Sequence, residues 1–206
     1  MNIETITVGP LAVNCYMLSD PESNEAILID PGSEAKRIIN LIELRNLKLK
    51  CIINTHCHID HIAEVKSIQD HFNAQFLIHE NELPVLKMLS KSDGLFGIDV
   101  SGVPEVSDYI KPDQEISLGQ FTGKILFTPG HSPGGISISI LNHVFVGDCL
   151  FKNSIGRTDL HGGNYEELIS SIMTKLFTLP DDTIVYPGHG PLTTIQYEKK
   201  NNPFLR

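Results

Sequence analysis

The sequence predicts a sheet-rich α/β or α+β domain. Short runs of β-branched and other apolar residues, each bounded by turn residues, alternate with helical apolar patterns in both halves of the chain. The 206 residues contain no internal repeat and no Pro/Gly/Ser linker long enough to divide them. We therefore expect one domain spanning residues 1–206, and two sheets covered by helices is one layering consistent with the pattern.

Three short predicted strands open the chain, and the turn Asp30-Pro31-Gly32 closes the third. A broad helical stripe of apolar residues follows, and then strands and helices alternate. In this half the strands are predicted at residues 4–8, 14–19, 26–29, 50–54 and 75–78, and the helices at 34–46, 62–72 and 82–89.

Residues 92–108 are rich in Gly, Asp and Ser and have little periodicity, which predicts a mobile surface loop. The second half then returns to strand character and carries one helical segment. Its strands are predicted at residues 124–127, 136–141, 144–146 and 183–185, and its helix at 165–177.

The charge balance disfavours polyanionic partners. The chain has 25 Asp and Glu against 16 Lys and Arg, a formal charge of −9, so we expect no nucleic-acid and no membrane partner. The N-terminus lacks a secretory signal, no apolar run reaches the roughly 18 residues of a membrane span, and the four cysteines form no CxxC pair. These features predict a cytoplasmic protein with free thiols; oligomeric state is left open.

Four side chains able to bind a metal lie within six positions directly after an apolar strand: His56, His58, Asp60 and His61. Imidazole nitrogens and carboxylate oxygens are good ligands for Zn, Fe or Mn. A single histidine is more often a surface or hydrogen-bonded core residue. Four ligands in one cluster reverse that expectation and predict a metal site.

Three later segments share a pattern in which an apolar strand ends in a turn that carries a ligand. The ligands are His131 after Thr128-Pro129-Gly130, Asp148 after Gly147, and His189 after Pro187-Gly188. Each turn taken singly is ordinary. Ligands at strand ends are expected to gather at one sheet edge, where Gly and Pro allow sharp turns and close backbone approach.

The HxHxDH cluster followed by His131, Asp148 and His189 in that order resembles the metallo-β-lactamase superfamily. The segments Val13-Asn14-Cys15-Tyr16 and Asp30-Pro31-Gly32 are also similar to that family. The resemblance covers nearly the whole chain. It implies an αββα sandwich, with two mixed sheets flanked by helices and a dinuclear site at the upper loops.

The resemblance also implies a role for each ligand. His56, His58 and His131 would bind one ion, Asp60, His61 and His189 the second, and Asp148 would bridge both. The expected cofactors are two divalent ions, with zinc first and iron or manganese as alternatives. Asp148 and Asp60 are the predicted catalytic residues, and Asp60 could take a proton from water if the second position were empty.

Three features resemble the small glyoxalase II-like branch of the superfamily. They are Asp148 in place of a cysteine, the run Gly130-His131-Ser132-Pro133-Gly134-Gly135 and the run Ser154-Ile155-Gly156-Arg157-Thr158-Asp159. This implies hydrolysis of a small-molecule thioester, S-lactoylglutathione or a related acyl-thiol, by a metal-bridging hydroxide. Classical glyoxalase II continues into a C-terminal helical domain, whereas this chain ends 17 residues after His189. Glutathione recognition is therefore in question, as is the local turn where Ile62-Ala63-Glu64 replaces the family's Gly-Gly.

Two other readings share the ligand set. The same runs resemble the iron-dependent persulfide dioxygenases, in which residues matching His56, His131 and Asp148 hold one iron. A non-catalytic metal-binding or redox domain is a third class, and it is disfavoured because structural zinc sites are usually closed by four ligands. Iron with oxygen consumption would favour the dioxygenase, and two metals with anaerobic turnover would favour hydrolysis.

Several residues near the motif have weaker assignments. Arg157 is predicted to bind a carboxylate of the thiol carrier, and the alternative is an ion pair on the surface. Asp30 is predicted to orient a ligand histidine, and the alternative is a turn-forming Asp. Cys57 and Cys149 are expected to point away from the metals. Four histidines remain unassigned: His71, His79, His143 and His161.

Overall fold

Two six-stranded mixed sheets form the centre of the computed structural model, which describes residues 1–205. In the first sheet, spatial order follows chain order; the first three strands are antiparallel and the remaining pairs are parallel. Its strands are β1 (Asn2–Val8), β2 (Val13–Ser19), β3 (Glu25–Ile29), β4 (Lys48–Ile53), β5 (Gln75–His79) and β6 (Asp108–Ile110).

The second sheet contains β7 (Glu115–Leu118), β8 (Phe121–Phe127), β9 (Ile136–Ile140), β10 (His143–Gly147), β13 (Ile184–Pro187) and β14 (Thr193–Thr194). Its spatial order is β14-β13-β10-β9-β8-β7, and only the β10–β13 pair is parallel. Since β8 and β10 are both antiparallel to β9, the carboxyl ends of β8, β10 and β13 lie at one edge. A small hairpin of β11 (Leu150–Phe151) and β12 (Ser154–Ile155) follows β10.

The helices are short, and all but the last lie between strands in the chain order. They are α1 (Ala35–Leu44), α2 (Ile59–Ile62), α3 (Val65–Phe72), α4 (Leu83–Met88), α5 (Tyr165–Ser171) and α6 (Ile195–Asn201). Three 3₁₀ turns add Glu80–Glu82, Leu89–Lys91 and Leu95–Gly97, and α5 runs on into a π-helical turn at Ile172–Leu176. No helix in the part of the chain that the structure describes combines the length and apolarity needed to cross a membrane.

Alternating residues of each strand divide the core into three buried clusters. Between the sheets lie Tyr16, Ile29 and Ile53 of the first sheet with Phe145 and Tyr186 of the second. The opposite face of the first sheet packs against α1, α3 and α4, and the opposite face of the second sheet packs against α5 and α6. The layers therefore run helix, sheet, sheet, helix, and the predicted αββα sandwich is confirmed.

The structure differs from the prediction mainly in its short helices and strands. Of the helix predicted at 62–72, helix α3 begins only at Val65, because Glu64 departs from helical geometry (φ −107°, ψ 5°), and Ile62 ends the separate helix α2. Helix α6 was not predicted; it begins at Ile195 and is capped by Thr194, whose side chain accepts the Tyr197 N–H. Five short strands were also missed: β6, β7, β11, β12 and β14. Residues 92–107 follow an irregular path with one 3₁₀ turn, and their predicted mobility stays a prediction.

Candidate metal centre

Four strand ends bring the seven predicted ligands together. The segment after β4 carries His56, His58, Asp60 and His61, and the turns after β8, β10 and β13 carry His131, Asp148 and His189. The backbone N–H of Ile136 donates to the carbonyl oxygen of Thr55 at 3.0 Å, which joins the end of the first sheet to the second. The ligands therefore converge from both sheets at one edge of the sandwich.

Three imidazoles form the first group of ligand atoms, which all lie within 4.8 Å of one another: those of His56, His58 and His131. The Nε2 atom of His131 is 3.3 Å from His56 Nε2 and 2.9 Å from His58 Nδ1. His56 and His131 are buried. We call these residues the three-histidine triad.

A second group contains Asp60, His61 and His189, again with one ligand atom from each within 4.8 Å of the others. His189 Nε2 is 3.2 Å from Asp60 Oδ2, and His61 Nε2 is 3.8 Å from the same oxygen. This group, the mixed triad, contains a carboxylate that the first group lacks.

Asp148 lies between the two triads. Its Oδ1 is 3.4 Å from His61 Nε2, and its Oδ2 is 3.7 Å from His131 Nε2 and 3.6 Å from His189 Nε2. One carboxylate thus reaches rings of both groups, which is the arrangement expected of a bridging ligand.

Most of the ligand rings are fixed through the nitrogen that faces away from the centre. His131 Nδ1–H donates to the carbonyl oxygen of Arg157 at 2.8 Å, and His189 Nδ1–H donates to that of Leu11 at 3.0 Å. A carbonyl oxygen only accepts, so each ring carries a proton on Nδ1 and turns its Nε2 toward the other ligands. Loss of any proton on Nε2 then gives the tautomer that metal binding requires.

Asp30 fixes two further rings. Its Oδ2 lies 3.0 Å from His61 Nδ1 and accepts the Thr55 hydroxyl at 2.6 Å, and its Oδ1 accepts the Thr55 backbone N–H at 2.7 Å. The Thr55 Oγ1 lies 3.1 Å from His56 Nδ1, and since its own proton goes to Asp30 it acts there as acceptor. Asp30 thus contacts the ligand His61 in the way expected for an orienting carboxylate.

Burial keeps the three-histidine triad neutral. It lowers the pKa of His56 and of His131, and together with the neighbouring ring of His131 it lowers the pKa of His58 to about 4. Neutral imidazoles retain the lone pair that a cation needs. This group is therefore ready to bind a cation near neutral pH without releasing protons.

In the mixed triad and Asp148, the pKa shifts favour the charged forms of the side chains instead. Burial opposes the charged forms, but mutual attraction dominates: it lowers the pKa of Asp60 and Asp148 and raises the pKa of His61 and His189. The carboxylates therefore stay ionised, and a proton on each of the two rings is favoured. Positive charge is therefore favoured at this position, and a metal cation would take the place of those protons.

Two observations show that a cation fits the donor set. His61 Nε2 and Asp148 Oδ1 are buried without a hydrogen-bond partner among the described residues, although they face each other at 3.4 Å. Gly188 leaves room beside them, because an added Cβ would lie 2.2 Å from Asp148 Oδ1 and 2.7 Å from His61 Cε1. A bound metal ion would stabilise both atoms, because each can coordinate it and neither has a hydrogen-bond partner.

Glu82 is a residue of the centre that the sequence analysis missed. Its side chain is fully buried; Oε2 accepts the Cys57 N–H and Oε1 accepts the Gly134 N–H, both at 2.7 Å. Burial raises the pKa of Glu82, although these two N–H groups oppose the shift. The sequence showed only a glutamate at the start of a predicted helix, which is usually exposed.

The remaining predicted residues lie nearby. The Arg157 side chain is exposed and forms a bidentate ion pair with Asp159, both N···O distances being 2.7 Å. Cys57 and Cys149 are buried and contribute to none of the candidate groups of ligand atoms among residues 1–205. Of the unassigned histidines, His161 lines a cavity beside the centre, and His71, His79 and His143 contact Glu43, Phe127 and Tyr186 respectively.

Two curated relatives match almost end to end. The hydroxyacylglutathione hydrolase GloC of Haemophilus influenzae is 42% identical over 100% of this chain and 98% of its own length. The probable metallo-hydrolase YqgX of Bacillus subtilis is 39% identical, with the same coverage of 100% and 98%.

Solved structures agree with this fold. The BLEG-1 B3 metallo-beta-lactamase superposes with a TM-score of 0.89 at 36% identity, covering 99% of both chains. TTHA1623 in a di-iron-bound form gives 0.86 at 32% identity, covering 98% and 100%. ETHE1 from Myxococcus xanthus gives 0.81 at 29% identity, covering 98% and 84%.

The family model of the metallo-beta-lactamase superfamily matches residues 8–189, a range that begins at the end of β1 and ends at His189. All seven converging side chains lie within it. The layered fold, the two triads and these relatives agree with that match. The chain belongs to the metallo-beta-lactamase superfamily.

Proposed function

We propose that this metallo-hydrolase is a glyoxalase II-like thioester hydrolase that acts on S-lactoylglutathione or a related acyl-thiol. The observation that carries the proposal is the position of Asp148, whose oxygens lie 3.4–3.7 Å from rings of both triads. A relative 42% identical over the whole chain is named a hydroxyacylglutathione hydrolase, which supports the same substrate class.

In this proposal His56, His58 and His131 hold one divalent ion, the mixed triad holds the second, and Asp148 contacts both. Zinc is the expected metal because imidazole and carboxylate are its common ligands. Iron and manganese accept the same donors, and one solved relative is in a di-iron-bound form. Asp60 serves as a ligand and would act as a base toward water only where the second ion is absent.

Two bound cations would supply a water of lowered pKa and polarise the carbonyl of the substrate. Neither triad contains a Ser or Cys, and burial leaves the two thiols next to predicted ligands unactivated, since it raises the pKa of Cys57 and raises that of Cys149 to about 12. Water oxygen adds to the carbonyl carbon and the C–S bond breaks. The products are a carboxylate and a thiol, with no change in oxidation state.

The remaining expectations are proposals of the same kind. Residues 1–206 act as one cytoplasmic domain, and Arg157 contacts the thiol carrier. Its small-molecule substrate diffuses into the cavity beside the two triads, which His58, Asp60, His131 and Asp148 help to line.

The test is thiol release from S-lactoylglutathione by protein loaded separately with Zn, Mn and Fe under anaerobic conditions. Asp148→Ala should lose roughly 100-fold or more in rate, since it removes the ligand shared by both ions. Absence of turnover with every metal would overturn the glyoxalase proposal. Faster turnover of a β-lactam than of the thioester would instead favour the activity named for BLEG-1.

An iron-dependent persulfide dioxygenase is the second candidate. Its three expected ligands are adjacent here: His131 Nε2 is 3.3 Å from His56 Nε2 and 3.7 Å from Asp148 Oδ2. Solved relatives include ETHE1 and a di-iron form of TTHA1623. Oxygen consumption with glutathione persulfide by the iron-loaded protein, without anaerobic thioester turnover, would favour this candidate.

A further inference from the structure

A cavity of about 400 Å³ opens beside the metal centre. One side is formed by ligand residues of both triads and by Asp148. Its volume is within the usual range for small-molecule sites, which are mostly apolar with a few polar groups. A substrate whose reacting carbonyl lies at the ligands would therefore place an adjoining group in this space.

The side of the cavity away from the ligands is apolar. It is formed by α4, the 3₁₀ turns that follow it and the loop after β12. The residues that carry the argument are Val85, Met88, Leu89, Leu95, Phe96 and Leu160. Apolar side chains of this size favour a partner that removes them from water.

Two of these residues have unfavourable environments in the protein without a ligand. Leu95 is 50% exposed and Phe96 is 67% exposed, and Phe96 also has a left-handed backbone (φ 55°). A bulky residue in that region is strained, and such strain concentrates at ligand-binding segments. Exposure and strain together mark the turn Leu95–Gly97 as a ligand contact.

The cavity offers little positive charge. Among the described residues, Arg157 is the only Lys or Arg that lines it, and its Nε and Nη2 both donate to Asp159 at 2.7 Å. Among its other lining residues, His161 is the one imidazole outside the two triads. A thiol carrier with two carboxylates would find a single, already paired guanidinium, so the wall favours apolar chains over such carriers.

Building on the proposed thioester hydrolysis, we propose that the cavity binds an apolar chain attached to the thioester, so that apolar thioesters are preferred to those of anionic peptide thiols. Both the acyl side and the thiol side of a thioester can carry such an apolar group, and either would use the same contacts. The reaction is unchanged: water adds, the C–S bond breaks, and a carboxylate and a thiol leave.

Two substrate series, tested on the metal-loaded full-length protein, distinguish an apolar group on the acyl side from one on the thiol side. One series has acetyl, butanoyl, hexanoyl and octanoyl thioesters of N-acetylcysteamine, and the other has S-acetyl thioesters of ethanethiol, butanethiol and hexanethiol. We expect kcat/KM to rise about fourfold per methylene in one series, the value for full burial of each CH₂. The rising series identifies the side that enters the cavity.

A flat or falling dependence in both series, with S-lactoylglutathione turned over well, would overturn the inference and leave the proposed function intact. If no thioester is hydrolysed, the proposed function fails. Calorimetry with 2-octanone and 2-butanone then tests the cavity alone: tighter binding of 2-octanone supports the apolar site, and equal or absent binding overturns it.

Phe96→Asn supplies the matched variant, because Asn tolerates a left-handed backbone better than Phe and the change should not unfold the protein. We expect the ratio of kcat/KM for the longest and shortest substrates of the rising series, or of octanone to butanone affinity, to fall about tenfold. Leu44→Asn, which replaces an 81% exposed residue at the end of α1, should leave both ratios unchanged. Equal ratios in the wild type and Phe96→Asn would contradict the assignment of the apolar chain to this cavity.

Discussion

Glu82 and Cys57 are joined by a fully buried hydrogen bond of 2.7 Å, from the backbone N–H between two predicted ligands to a carboxylate on the turn after β5. The other oxygen of Glu82 holds Gly134, three residues after His131. An added Cβ at Gly134 would lie 2.7 Å from the Glu82 backbone nitrogen, so the two segments are in close contact. One side chain thus ties together both segments of the three-histidine triad.

Glu82→Gln should loosen that triad. An amide nitrogen donates and cannot accept an N–H, so one of the two bonds is lost and a buried N–H is left unpaired, which costs about 1–3 kcal/mol. We expect metal affinity at the triad to fall roughly tenfold to 100-fold, as for other residues that hold ligands in place. Urea unfolding and competition with a chromophoric chelator measure the two effects. Glu80→Gln, an exposed neighbour on the same turn, is the control; equal effects in both variants would rule out the assigned role.

Gly188→Ala should remove metal binding at the mixed triad. The new Cβ would lie 2.2 Å from Asp148 Oδ1, so the bridging carboxylate or the turn must move, at a cost of about 1–3 kcal/mol. Metal analysis should find fewer than two ions per chain. Gly190→Ala is the matched control: nothing lies within 4 Å of its Cβ, and its positive φ adds only about 1 kcal/mol of backbone strain. Full metal content in Gly188→Ala would contradict the two-ion arrangement.

Arg157→Ala should change substrate preference rather than metal binding. Its exposed ion pair with Asp159 is screened by solvent and contributes little to stability, and the backbone carbonyl that holds His131 is retained. If the guanidinium binds a carboxylate of the carrier, KM for S-lactoylglutathione should rise about tenfold relative to that for an N-acetylcysteamine thioester. Asp159→Asn should release the guanidinium and shift the same ratio the other way. A ratio unmoved by both variants would remove Arg157 from the substrate site.

His79 should make stability depend on pH. Burial lowers the pKa of His79, which stacks on Phe127 and accepts the Asn81 N–H through Nδ1. The unfolded chain therefore binds more protons than the folded chain as pH falls below about 6.5, and the free energy of unfolding should decrease there by up to about 1.4 kcal/mol per pH unit. Urea unfolding with a chelator present, between pH 5 and 7.5, compares the wild type with His79→Gln. Parallel pH profiles for the two proteins would disprove the effect.

Local patterns predicted a sheet-rich domain with metal ligands at the ends of strands, and the family resemblance of those ligand motifs implied the αββα layering. Strands that end in Gly or Pro turns bring His131, Asp148 and His189 to one edge whatever the details of the core. Short elements such as β14 and α6 were missed, since pairing or a cap at Thr194 defines them rather than periodicity.

Two features of the site could not be predicted for a different reason. Glu82 is separated by 25 residues from Cys57 and by 52 from Gly134, so its burial depends on how three segments meet. The cavity wall contains Leu95 and Phe96 from a stretch with no periodic pattern. Such contacts arise from tertiary packing, which a single sequence does not encode in any local signal.

Leu11 and Arg157 hold the rings of His189 and His131 through backbone carbonyl oxygens, and both residues also line the cavity. Substitution of either side chain leaves its carbonyl oxygen available to the ligand ring. The residues nearest the chemistry can therefore be exchanged during evolution or in the laboratory without removing the contacts that orient the metal ligands. In this arrangement new substrates can be acquired through side chains while the main chain keeps the reactive centre constant.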